Sequence, residues 1–85
     1  MAIDNTVKLT SKSIRNFEKY MSKAYQNGYF TNVSRLSDRL GLEMFLPPTV
    51  DEFNANHISK FISQKFQVNS IYFMRSHSIK VFYDQ

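Results

Sequence analysis

From Ser11 to Gln26 the apolar residues Ile14, Phe17, Met21 and Ala24 recur at three- and four-residue steps, with Tyr20 and Tyr25 beside them. Lys12, Arg15, Lys19, Lys23 and Gln26 take the other side. This spacing predicts an amphipathic helix over 11–26, ended by Asn27-Gly28, because glycine adopts the left-handed backbone that stops a helix. A second run, Val33, Leu36 and Leu40, predicts a short helix over 31–41 with Thr31 as its cap and Gly41 as its stop. Pro47-Pro48 then forbids regular helix and marks 42–49 as a loop with a stiff end.

Ile58, Phe61, Ile62 and Phe66 predict a third helix over about 54–66. Two starts compete: Thr49-Val50-Asp51-Glu52 is a capping-box sequence, and Asn54 is an equally good cap. The reading places a turn at Thr49 and the main helix from Asn54. Ile71-Tyr72-Phe73-Met74 and Ile79-Lys80-Val81-Phe82-Tyr83 are β-branched and aromatic, and Arg75-Ser76-His77-Ser78 between them is short and polar. They predict a hairpin over 71–83. Residues 1–10 alternate weakly and read as an arm or short strand, and no internal repeat or linker is visible. The expected architecture is one α+β domain over 1–85, mainly helical, with three helices followed by a C-terminal hairpin.

Composition narrows the function classes. With 85 residues and 42% apolar residues, the chain can bury a core without staples, and its lack of Cys removes thiolate chemistry and the common structural zinc sites. The N-terminus has no basic stretch followed by an apolar one, and no run approaches the about 20 apolar residues of a membrane span. A cytoplasmic protein without membrane contact is expected. The net charge of +4 favours a polyanionic partner.

Three helices with a tight connection after the first, then a hairpin, are the element order of a winged helix-turn-helix. The stretch Val33-Ser34-Arg35-Leu36-Ser37-Asp38-Arg39-Leu40-Gly41-Leu42, then Pro48-Thr49, then Phe53 to Ile62, resembles the DNA-binding region of serine recombinases. About thirty residues carry the resemblance, and the family's catalytic serine domain is absent. Where that family has a basic, glycine-rich loop, this chain has Glu43-Met44-Phe45-Leu46-Pro47-Pro48. The resemblance implies a helix-turn-helix whose helix from Asn54 to Lys65 faces DNA.

On that placement Asn56, His57 and Lys60 are the residue types that meet base edges, and Ser59, Ser63, Gln64 and Lys65 the types that meet phosphate. Arg75, His77 and Lys80, with Ser76 and Ser78, suit a wing on the phosphate backbone or minor groove. Double-stranded DNA is the expected partner, and a regulatory or mobile-element accessory role the expected function. The aromatic residues support an alternative, a homodimer, interaction module or small inhibitor docking through Phe45, Leu46 and Pro47.

Catalysis lacks its parts. His57 and His77 are the only histidines, no metal-ligand spacing or phosphate-cradling glycine loop occurs, and no cofactor or small-molecule substrate is expected. Asp51 and Glu52, being adjacent, do not share a helix face, so their expected role is favourable charge at a helix N-terminus.

Overall fold

A computed structural model describes residues 10–83 of the chain. The first helix, α1, spans Ser11–Gln26, as its periodicity predicts. Its cap is reciprocal. Thr10 Oγ1 accepts from the Ser13 backbone N–H at 3.1 Å, and Ser13 Oγ accepts from the Thr10 N–H at 2.9 Å. Such a cap contributes about 1 kcal/mol. Gly28, with φ of +86°, turns the chain out of the helix.

The expected helix over 31–41 does not form. Asn32–Arg35 is a strand, β1, and Gly41–Phe45 a second, β2, joined by a turn that the Leu36 N–H closes onto the Gly41 carbonyl. Val33, Leu36 and Leu40 have helical spacing by coincidence: Val33 packs on the core from β1, while Leu40 is exposed in the turn. The segment expected to be a loop therefore contains β2, whose alternating Leu42 and Met44 are buried, as is Leu46 just beyond its end. Pro47-Pro48 ends that strand, since neither proline has an N–H to continue the ladder.

The next helix, α2, spans Glu52–Phe66, starting two residues before Asn54. Its N-cap is neither Thr49 nor Asn54 but Asp51, whose carboxylate accepts the Asn54 N–H at 2.8 Å. Asp51 and Glu52 together place negative charge on the positive end of the helix. Two further strands, β3 over Asn69–Phe73 and β4 over Ser78–Phe82, form the expected hairpin. The expected arm over 1–10 falls, apart from Thr10, outside the described residues.

The four strands make one antiparallel sheet in the order β1-β2-β4-β3. The architecture is thus two helices on a four-stranded sheet, not three helices with a wing, and the helix-turn-helix implied by the recombinase resemblance is absent from the described residues. Both helices cover one face. Phe17 of α1 meets Phe66 of α2 edge-on at 5.0 Å and Tyr83, just beyond β4, at 6.0 Å. Beneath them Leu42, Met44, Ile79 and Val81 close the core with Met21, Ala55 and Ile62. Each large side chain so buried stabilises by roughly 1.5–3 kcal/mol relative to leaving it in water.

The sheet has a symmetry that the sequence hides. β1 and β2 recur as β3 and β4 at a displacement of 37 positions: Asn32 corresponds to Asn69, Gly41 to Ser78, Phe45 to Phe82. Gly-Leu-Glu-Met-Phe in β2 matches Ser-Ile-Lys-Val-Phe in β4, with the same order of buried and half-buried positions. The β2–β4 register maps onto itself about the Glu43–Lys80 pair. Each helix precedes its own hairpin, and Lys19-Tyr20-Met21-Ser22 in α1 is echoed by Lys60-Phe61-Ile62-Ser63 in α2. The chain is two helix-hairpin units related by an approximate dyad through the sheet centre. The repeat escapes a sequence scan because hydrophobic type is retained while identity is not.

Candidate nucleic-acid interface on the open face of the sheet

Side chains alternate across a strand, so the sheet has a second face. Arg35 belongs to the helix side, where its guanidinium meets Glu18 of α1 at 3.1 Å. Ser70 also belongs there, bonded to the Ser59 carbonyl of α2 at 2.6 Å. By alternation Asn32, Ser34, Glu43, Phe45, Asn69, Ile71, Phe73, Lys80 and Phe82 project from the opposite face, which no helix covers.

That face is aromatic and cationic. Phe45 and Phe82 are half-buried on the two central strands, and Phe73 and Ile71 are more exposed on β3. The Lys80 ammonium stands 4.6 Å from the centre of the Phe73 ring, and the Arg39 guanidinium, from the β1–β2 turn, 3.9 Å from that of Phe82. Cations so placed are attracted to the negative ring faces and hold the rings in position. Glu43 accepts a hydrogen bond from the buried Ser78 hydroxyl at 2.6 Å, so part of its acceptor capacity is used within the sheet.

The residues singled out from the sequence do not converge on one surface. Asn56, His57, Lys60, Gln64 and Lys65 are exposed on α2, on the helix layer, away from Lys80. Asn56 donates back to the Glu52 carbonyl, His57 stacks on Phe53, and Lys65 lies near the rings of Tyr20, Phe61 and Phe66. Ser59 is buried against β3 and shares a hydrogen bond with Ser70, so it offers nothing to a ligand. Ser63 donates to the Val68 carbonyl at the end of α2.

Arg75 is exposed in the β3–β4 turn. His77 is held on the helix side, its Nδ1 bonded to the Tyr72 hydroxyl at 2.7 Å and its Nε2 to the Pro47 carbonyl at 3.1 Å. A carbonyl only accepts, so Nε2 carries the hydrogen. His77 is thus a strut between the hairpin and the β2–α2 connection. Of the set expected to meet nucleic acid, Lys80 and Ser78 lie on the open face, and the Ser78 hydroxyl is buried and spent on Glu43.

Phe45, Leu46 and Pro47 do not form one patch either: Phe45 faces outward on the sheet, Leu46 is core, and Pro47 borders a groove between the helices. That groove encloses about 660 Å³ and is lined by Tyr20, Ala24, Tyr29, Ile58 and Phe61. The open face is not legible in the sequence because its residues come from all four strands, two of which carry helix-like and loop-like patterns. Alternation in Asn69-Ser70-Ile71-Tyr72-Phe73 was the available signal.

Among the described residues no three His, Asp or Glu side chains are grouped to hold a metal, and no helix is long and apolar enough to cross a membrane. Comparison with protein-family models, curated proteins and solved structures finds no match.

Proposed function

We propose that the protein binds DNA through the open face of its sheet. The observation that carries this reading is the arrangement of Phe45, Phe73 and Phe82 with Lys80 and Arg39 on one uncovered sheet surface. Aromatic rings contact bases by stacking or apolar contact, and the Lys80 ammonium beside them neutralises phosphate; the two together suit a nucleic acid better than either does alone. The net charge of +4 supports the same partner.

The test is fluorescence anisotropy with labelled DNA across a salt series. Phosphate contacts release counterions, so affinity measured at about 50 mM salt should fall steeply by about 200 mM. Phe45→Ala and Phe82→Ala should each weaken binding without altering the salt slope. Absence of binding at low salt, or unchanged affinity in both variants, overturns the reading.

The groove between the helices favours a second reading, a protein partner. Tyr29 and Phe61 on its rim are 67% and 51% exposed, and they adjoin the apolar lining of the groove, as contiguous apolar surface at an interaction site does. A retained protein partner lost on Phe61→Ala, in a chain with no DNA affinity, decides for it.

A further inference from the structure

The approximate dyad leaves one place in the helix layer filled and its mate empty. Phe66 meets Phe17 edge-on at 5.0 Å and Tyr20 at 5.1 Å, and Tyr83 lies 6.0 Å from Phe17. The match of Lys19-Tyr20-Met21-Ser22 with Lys60-Phe61-Ile62-Ser63, continued along both helices, sets Phe17 against Ile58, Tyr20 against Phe61 and Phe66 against Tyr25. The match of β2 with β4 sets Tyr83 against Leu46. Aliphatic side chains thus replace two of the four rings. A third, Tyr25, is exposed, lies outside the groove lining and makes no ring contact among the described residues. What remains between Ala24, Ile58 and Phe61 is the groove of about 660 Å³.

We infer that this groove binds a small aromatic carboxylate, whose ring occupies the place that Phe66 fills in the other half. The floor is firm, since Met21, Phe30 and Ile62 are all buried in the core. Above it Ile58 and Phe61 stand where Phe17 and Tyr20 hold the Phe66 ring edge-on, a geometry that aromatic groups favour. The volume and the mainly apolar lining are those of a small-molecule site.

Charge and length select the ligand. Lys23 is the one charged residue of the lining, and Asn27 follows it one turn later. Neither side chain makes a hydrogen bond or ion pair among the described residues. A cation and an amide at the mouth of an apolar groove suit a ligand with an anionic head and an apolar body. Helix α1 contributes positions 20–24 and α2 positions 58–62, about 6 Å of helix axis each at 1.5 Å per residue. That is too short to seat a partner helix through anchors spaced over two turns, whereas a ring with a short acidic chain fits.

Two-dimensional NMR titration of the whole chain with 4-phenylbutyrate, 4-phenylbutylamine and hexanoate tests this. The acid should bind saturably with a Kd below about 1 mM, a modest demand on about a dozen non-hydrogen atoms. Its shifts should centre on Ala24, Ile58 and Phe61. The amine, meeting Lys23 with like charge, should bind about fivefold more weakly, and hexanoate, lacking the ring, more weakly than the acid. Lys23→Gln should remove the preference for acid over amine. Ile58→Phe supplies the ring that Phe17 supplies in the other half, so it should abolish binding without lowering the melting temperature. Ala24→Leu fills the groove from the opposite wall and should do the same, which keeps the test open if Ile58→Phe misfolds.

No saturable shift, equal affinity for acid and amine, or full affinity in the filled variants overturns the inference. So does a protein partner retained through Phe61 by a chain that takes no phenylbutyrate. DNA binding at the open face is read on the other side of the sheet and stands or falls separately.

Discussion

Glu43 and Lys80 face each other at the centre of the sheet, and the β2–β4 pairing reads the same outward from them in both directions. Around this pair two helix-hairpin units close on each other, so the two innermost strands form a buried seam and the outermost, β1 and β3, are the edges. The seam tolerates no extra atom at one point. Gly41 is fully buried, and a Cβ there would collide with the Val81 carbonyl oxygen and lie 2.8 Å from Leu36 Cδ1.

Gly41→Ala should therefore destabilise the fold by roughly 1–3 kcal/mol, since a backbone carbonyl in a sheet cannot yield without breaking register. Gly28→Ala meets no neighbour but keeps a φ of +86°, so its cost is limited to left-handed strain of about 1–2 kcal/mol. Urea denaturation of both variants measures the difference. Equal cost at the two positions would contradict the close approach at the seam.

Tyr83 closes the helix side of the sheet. Its hydroxyl donates to Glu18 Oε2 at 2.8 Å, while Arg35 holds the other carboxylate oxygen. Burial first, and then the hydrogen bond to Glu18, push the Tyr83 hydroxyl well above the ordinary tyrosine range. A raised folded-state pKa means that its stabilisation is fully present below the unfolded value of about 10 and is lost as pH rises beyond it. Tyr83→Phe should cost about 1–2 kcal/mol at neutral pH through the lost charge-assisted bond. The variant should also lose less stability than the parent between pH 9 and 11. Parallel stability profiles over that range would contradict the assignment.

His77, at φ of 50°, holds a backbone conformation rare outside glycine, and its ring ties Tyr72 to Pro47. His77→Gly should relieve the backbone but release the ring, whereas Tyr72→Phe removes the hydroxyl bond alone, at about 1 kcal/mol. Thermal melts at pH 7.5 should show both variants below the parent. A gain in stability on His77→Gly would mean that strain outweighs the strut.

The legible parts of the fold were those whose local pattern and tertiary role agree. Phe17, Met21 and Ala24 do face the core from α1, and Ile79 and Val81 do share the buried side of β4. The misread part was Thr31 to Phe45. Four- and five-residue strands give too few positions to separate a period of two from one of 3.6, so Val33, Leu36 and Leu40 passed for a helix face. What decides their state is non-local, the pairing of β2 with β4 from the far end of the chain. The candidate site suffered from the same error. Lys80 and Phe45 were singled out separately, but only the sheet puts them on one surface with Phe73, Phe82 and Arg39.

The account stands on which surface meets DNA, and charge reversal separates the two candidates most directly. Lys80 lies on the open face, Lys60 and Lys65 on the outer side of α2. Duplex affinity should fall on Lys80→Glu, with the salt slope reduced by about one, and stay within about twofold in the Lys60→Glu, Lys65→Glu double variant. Loss of binding in the double variant with Lys80→Glu unaffected would place the interface on α2 and contradict the open face.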